Sequence, residues 1–279
     1  MPAYHRPQSL DDTLELLSRH RLEVLAGGTD FYPARIGKAL DGDVLDVTAI
    51  RELRGVRELA DHWRIGAAVT WTEVIETQLP PLFDGLKLAA REIGGAQIQN
   101  RGTLAGNLCN ASPAADGVPA LLALDASVEL AATAGTRKLP LAEFVLGPRK
   151  TARRPDELLS AILVPRPRRA CASHFLKLGA RRYLVISIAM VAAALEHEEG
   201  FVRAARVAIG ACSPVALRLP GLEAELAGRP LDGRIGDAAR PEHLASLSPL
   251  DDVRATAAYR QEAALELVRR ALNELGARA

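Results

Sequence analysis

Aromatic residues make up only 4% of the chain, and cysteines number three, Cys109, Cys171 and Cys212. An odd, widely spaced set of thiols builds no disulfide framework and fits reduced cysteines in a cytosolic protein. It also falls short of the roughly four thiolates that hold an iron–sulfur cluster. The histidines, at 5, 20, 62, 174, 197 and 243, show no Cys/His ligand spacing, so no metal is expected on this chain. A dominant charge is missing too: 35 Lys and Arg against 34 Asp and Glu leave a formal +1. No bulk field then draws the chain to nucleic acid or anionic lipid. The longest apolar run that matters, Leu184 to Leu195, falls well short of the roughly 20 residues of a membrane helix, and reads as a buried strand or core segment. The first residues, MPAYHRPQSLDD, hold no basic region with an apolar run behind it and no small-residue cleavage site, so the expected location is cytoplasmic.

What is present is the composition of a folded soluble protein: 279 residues, 48% hydrophobic and 25% charged, enough for about two domains without staples. Ser9 before LDDTLELLSR, with acids in the first turn and Leu10, Leu14 and Leu17 on one face, predicts a capped amphipathic helix. LEVLA reads as a strand that stops at Gly27-Gly28, with a possible helix start from Asp30, and VLDV at 44–47 as the next strand. HWRIGAAVTW alternates toward a strand, and Thr70 with Glu73 has capping-box spacing for a helix around TEVIE. Pro80-Pro81 opens a helix through FDGLKLAAREI that Gly94-Gly95 closes. VPALLALDA reads as a buried helix, SVELAAT as a strand, ELLSAILV as a strand ending at Pro165, and PRPRRA as a linker. HFLKLG, ISIAMVAAALE and FVRAARVAIGA are three consecutive strand-like runs. Helical pieces near 220–239 and an amphipathic helix from about Tyr259 to Leu275 follow, an α+β pattern.

Two segments carry the chemistry. The first is Leu25-Ala26-Gly27-Gly28-Thr29-Asp30-Phe31. Glycine there admits positive φ and close approach to main-chain N–H groups, which suits either a plain strand-to-helix turn or a diphosphate cradle. Neither G-x-G-x-x-G nor a Walker lysine loop is present. Asp30 repels a diphosphate unless it turns away to cap the next turn. The second is Asn100 to Asp116, dense in Gly, Asn, Ser and Thr with no persistent period: an Ω-loop packed on itself, or a loop wrapping a polar cofactor. Cys109 within it is a small buried thiol or a redox-sensitive one. Arg181-Arg182-Tyr183 either flank a ligand or stand exposed at a strand edge.

In this order and at this distance, LAGGTD and QIQNRGTLAGNLCNASPAAD resemble the FAD-binding medium subunit of the molybdenum hydroxylases, the group of xanthine and carbon monoxide dehydrogenases. DELLSAILVP, FLKLGARRYLVISIAMVAAAL and AAYRQEAALELVRRAL extend the resemblance over nearly the whole chain. It implies an α+β fold: a two-part FAD-binding N-terminal domain of the vanillyl-alcohol-oxidase (PCMH-like) type over 1–168, with subdomains of about 1–55 and 56–168. A small α+β C-terminal domain over 169–279, with a three-stranded antiparallel sheet and helices, would follow. The resemblance implies that Leu25, Ala26, Gly27, Gly28, Thr29 and Asp30 cradle the FAD diphosphate, and that Thr103, Leu104, Ala105, Gly106 and Asn107 lie along the diphosphate and flavin end. Asp116 would hold a sugar hydroxyl or order its loop, Leu159 would touch the cofactor from the core, and Lys177 would reach the flavin region. The family more often reads Thr-Ile-Gly-Gly where this chain has Thr103-Leu104-Ala105-Gly106, so Ala105 must sit at a backbone angle that a methyl tolerates. Thr29-Asp30 stands closer to the xanthine dehydrogenase-like branch than to the His-Ser of carbon monoxide dehydrogenase-like members.

The function implied is electron transfer. Molybdopterin would lie on a large partner subunit and [2Fe–2S] on a small one, with FAD here passing electrons to NAD, a quinone or oxygen. The alternatives are a stand-alone flavin oxidase, which would need its own substrate pocket and base, and an assembly subunit that has lost FAD. The resemblance assigns this chain cofactor-binding residues and no catalytic one.

Overall fold

A computed structural model describes residues 2–278. The chain opens with β1 (Tyr4–His5), α1 (Leu10–Arg19), β2 (Glu23–Leu25) and β3 (Val44–Asp46), the strands forming a small parallel sheet in the order β1-β3-β2. The Ser9 hydroxyl accepts the Asp12 N–H at 3.1 Å, and Leu14 and Leu17 are buried, so α1 forms for the reasons its sequence gives. The segment after Asp30 yields only the single 3₁₀ turn Pro33–Arg35 and no α-helix, because none of its residues has a core to face.

β4 (Val56–Glu58) and β5 (His62–Gly66) begin a second sheet, and α2 (Trp71–Glu76) follows behind a complete capping box. There the Thr70 hydroxyl takes the Glu73 N–H at 3.2 Å and the Glu73 carboxylate takes the Thr70 N–H at 2.7 Å. Next come α3 (Asp84–Glu92), α4 (Ala96–Gln99), α5 (Leu104–Asn110) and α6 (Gly117–Ala123). The stretch from Asn100 to Asp116 is therefore not loop throughout. Thr103 caps α5, Leu104 and Leu108 anchor it in the core, and a left-handed Ala111 (φ 46°) ends it. β6 (Ser127–Ala132), β7 (Gly135–Pro140), the turn of helix α7 (Leu141–Phe144), the two-stranded ribbon β8 (Val145–Gly147) and β9 (Lys150–Thr151), and β10 (Leu158–Pro165) complete this lobe. Its antiparallel sheet runs β4-β5-β10-β6-β7, with the continuous apolar β10 at the centre.

β11 (Ala170–Leu178), β12 (Ala189–Glu198) and β13 (Phe201–Gly210) are the three long antiparallel strands read in the sequence. A short β14 (Leu217–Arg218) pairs with Ala208 and Ile209, so the sheet has four strands rather than three. α8 (Pro220–Leu226) and α9 (Ala257–Gly276) cover one face. β12 explains its own composition: Met190, Ala192 and Ala194 enter the core shared with the N-terminal lobe, while Val191, Ala193 and Leu195 enter the core under α8 and α9. A strand buried on both faces reads as an unbroken apolar run. The run from Leu184 is not all buried, however; Leu184 and Ile186 are 57% and 61% exposed, and the strand begins only at Ala189.

The lobes meet closely where Gly85 of α3 backs onto β11. Its N–H donates to the Ser173 hydroxyl at 2.8 Å, and a Cβ at Gly85 would stand 3.0 Å from the His174 carbonyl oxygen. Among the described residues no helix is long and apolar enough to cross a membrane, and no cluster of His, Cys, Asp or Glu is placed to hold a metal ion.

Candidate cofactor site

β2 delivers the first glycine segment, and the second, running from Gly102 into α5, lies directly against it. A Cβ on Gly27 would stand 1.9 Å from the Arg101 carbonyl oxygen, so the two backbones touch with no side chain between them. Gly28 is left-handed (φ +75°), as the turn out of β2 requires. Between the segments opens a cavity of about 550 Å³, within the range of small-molecule and cofactor sites.

Ten of the residues read from the sequence line it: Ala26, Gly27, Gly28, Thr29 and Asp30 on one wall, Thr103, Ala105, Gly106 and Asn107 on another, and Leu159 from β10. Leu25 and Leu104 are buried and do not reach the wall. Ala105 occupies the first turn of α5 with ordinary helical backbone, so its methyl meets no strain. Asp116 and Lys177 also lie off the wall. The Lys177 ammonium donates to the Asp116 carboxylate at 2.7 Å and to the Glu92 carbonyl at 3.2 Å, and Ser187 donates to Asp116 at 2.5 Å. Asp116 therefore orders its surroundings rather than facing the cavity, and Lys177 ties β11 to the ends of α3 and α6. Burial pushes the Asp116 carboxyl up, while Lys177 and Ser187 pull the other way.

The wall suits a ligand with an anionic group. Among the described residues the N–H groups of Gly27, Gly28, Thr29, Asp30 and Phe31 find no acceptor, nor does that of Ala105 at the second position of α5. Consecutive free N–H groups at a glycine turn form a concave donor set for phosphate oxygens. Among the described residues the buried Asn107 side-chain oxygen on the wall has no hydrogen-bond partner, an acceptor that a hydroxyl-bearing ligand such as the ribityl chain of FAD would satisfy. Asp30 lies on the wall, where, among the described residues, its carbonyl accepts the Ala34 N–H at 3.1 Å and its carboxylate caps no turn.

Several wall residues carry no signal in the sequence. Trp71 forms part of the floor, and Arg35 stacks over Phe31 at 3.9 Å while pairing with Glu23. Arg149, Thr151 and Arg153 arrive from the β8–β9 ribbon and the strand-to-strand loop behind it. Cys109 opens onto the cavity, and the protein packed around it pushes its thiol up to about 11. Arg181, Arg182 and Tyr183 line no part of this cavity; the Arg182 guanidinium lies 5.3 Å from the Tyr183 ring, on an exposed loop.

Residues 1–167 match the family model of the FAD binding domain in molybdopterin dehydrogenase, and residues 174–275 match the CO dehydrogenase flavoprotein C-terminal domain. The chain belongs to the FAD-binding medium subunits of the molybdenum hydroxylases. Among its relatives in this family, the nicotine 6-hydroxylase medium subunit of Paenarthrobacter nicotinovorans is 31% identical over 99% of this chain and 97% of its own length. A putative xanthine dehydrogenase FAD-binding subunit of Escherichia coli is 30% identical over 98% of this chain and 95% of its own. The fold agrees: a reconstituted CO dehydrogenase from Oligotropha carboxidovorans superposes with TM-score 0.90 at 29% identity, covering 100% of this chain and 99% of that one. The medium subunit described here is thus an oxidoreductase component with an FAD-binding domain and an α+β fold.

Proposed function

We propose that this medium subunit is the electron-transfer component of a three-part molybdenum hydroxylase. Electrons from substrate oxidation on a large molybdopterin-binding subunit reach it through a small [2Fe–2S] subunit and leave it for NAD, a quinone or oxygen. FAD, when bound, supplies the redox centre for that transfer. The observation that carries the reading is the cavity between two touching glycine-backed segments, in a chain aligned end to end with FAD-binding medium subunits.

The protein's work at this site is to bind and orient. The N–H groups of residues 27–31 and of Ala105 would take the diphosphate oxygens, Thr103 would hold the turn that presents Ala105, and Asn107 would accept from a hydroxyl. Leu159 and Trp71 would supply apolar contact that excludes water. Asp116 and Lys177 would fix the second domain, 169–279, against the first, 1–168, so that the cavity keeps its shape. Among the described residues the wall has no histidine and one carboxylate, Asp30, which supports electron transfer over substrate chemistry at this cavity. The three free thiols support a reducing compartment such as the cytoplasm.

The test is to isolate the chain with whatever accompanies it in its native host, record the visible spectrum and identify flavin released by acid. Non-covalent FAD together with an iron–sulfur protein and a molybdenum protein is the expected outcome. A colourless folded chain, or a flavoprotein with no such partners, would overturn the reading.

A further inference from the structure

Four charged side chains stand on the cavity wall: Asp30, Arg35, Arg149 and Arg153. FAD carries its negative charge on the diphosphate, and Asp30 would oppose it, so the wall must offer cations that are not already spent. Arg35 is spent, since it pairs with Glu23. Arg149 and Arg153 are not: among the described residues neither has a carboxylate partner. Arg149 donates to the side chain of neutral Asn110, and Arg153 to the backbone carbonyls of Arg154 (3.1 Å) and Glu157 (2.6 Å). Guanidinium groups have five N–H donors each, so both keep donors to spare.

Their backbone is held for that purpose. Arg149 is left-handed (φ +59°), a conformation that glycine takes more easily, yet the position carries a long cationic side chain. Its N–H donates to the Ala111 carbonyl at 2.9 Å, which pins the ribbon to the C-terminal end of α5, the helix whose first turn brings Ala105 and Gly106 to the same cavity wall. Glu157, in turn, accepts the Arg154 N–H at 2.7 Å and holds the loop from which Arg153 projects.

Resting on the flavin-subunit reading, we propose that Arg149 and Arg153 form a cationic clamp for the FAD diphosphate, on the wall of the same cavity as the donor turn at residues 27–31. The glycine segments then give shape and neutral donors, and the clamp gives the charge that offsets Asp30. Arginine suits the task because its planar fork engages two phosphate oxygens at once.

The test uses the full chain stripped of flavin and titrated with FAD and with riboflavin, which has the ring system and no phosphate, at low and high salt. In the double variant Arg149→Met, Arg153→Met the FAD dissociation constant is expected to rise about 10- to 100-fold, as loss of charged hydrogen bonds implies, with a flatter salt dependence. Riboflavin should bind variant and wild type alike. FAD affinity within about twofold of wild type, judged against that tenfold scale, would overturn the clamp. Equal weakening of both ligands would overturn it as well, since the arginines would then serve the ring or the fold. Should the pair of substitutions prevent folding, Arg153→Met alone, whose partners are only backbone carbonyls, carries the same test. Failure of the wild-type chain to bind FAD would instead overturn the flavin-subunit reading itself.

Discussion

At Gly28 a Cβ would stand 2.7 Å from the Tyr32 ring, at a left-handed φ of +75°. Gly28→Val therefore adds roughly 1–2 kcal/mol of backbone strain and drives a side chain into the donor turn. The expected product is a folded chain purified without flavin, and a wild-type FAD content would contradict the place given to that turn. Gly27→Ala should be worse despite its smaller side chain, because its obstacle is the Arg101 carbonyl 1.9 Å away, backbone that cannot swing aside. The glycine pair was legible in the sequence because so few residue types permit that geometry. Its contact with Arg101, some 70 residues on, was not, since close approach of two backbones leaves no mark on hydropathy. Arg149 and Arg153 escaped for another reason: in RKTARR a cation reads as a solvated surface residue, and only the cavity distinguishes it.

At the scale of elements, a long apolar period or a two-residue capping box declares a helix in the sequence, and a short helix with neither does not. α1 and α9 carry apolar faces over 10 and 20 residues and α2 is marked by the Thr70–Glu73 pair, whereas the seven residues of α5 are too few to show a 3.6-residue period. That helix exists because Thr103 accepts the Gly106 N–H at 3.0 Å and the core takes Leu104 and Leu108. Thr103→Ala should cost about 1 kcal/mol and lower the melting temperature by about 2–4 °C, with weaker FAD binding, while Thr103→Ser should retain both. Wild-type stability in the alanine variant would show that packing alone holds α5. β10 has an analogous fastening. Arg137 forks onto Glu157 at 2.6 and 3.0 Å, and this, with the Arg154 N–H, holds the carboxyl below its ordinary 4.5. Since the folded state binds that proton less readily than the unfolded chain, stability is fully present above about pH 4.5 and is lost as pH falls through the lowered value. Glu157→Gln should flatten that part of the acid-unfolding profile and reduce stability at neutral pH. An unchanged profile by circular dichroism would remove Glu157 from the account.

For the molecule as a whole, the two lobes are joined by charge as well as by apolar packing, at Asp116 and Lys177. The resemblance marked both residues, giving Asp116 a sugar hydroxyl or the ordering of its loop and Lys177 the flavin region; only the fold shows them facing each other, because the pairing depends on how β11 docks against α3. Their side chains are 7% and 5% exposed, so removing one partner leaves a charge with little water to turn to. Lys177→Met should therefore cost about 3–5 kcal/mol, far more than a surface pair would. The loss also has a pH signature opposite to that of Glu157. Burial already pushes the Asp116 carboxyl above 3.8, and without Lys177 the opposing pull weakens, raising it further. The folded variant then binds a proton that the unfolded chain has released, so its stability declines as pH rises from the unfolded value toward the raised folded one. Urea unfolding of Lys177→Met across acid to neutral pH should show the deficit growing with pH, and the double variant Asp116→Asn, Lys177→Met should recover most of it by leaving no charge unpaired. A small deficit that is flat in pH would mean that water reaches Asp116 freely, and that apolar packing under β12 alone sets how the second domain closes on the cavity.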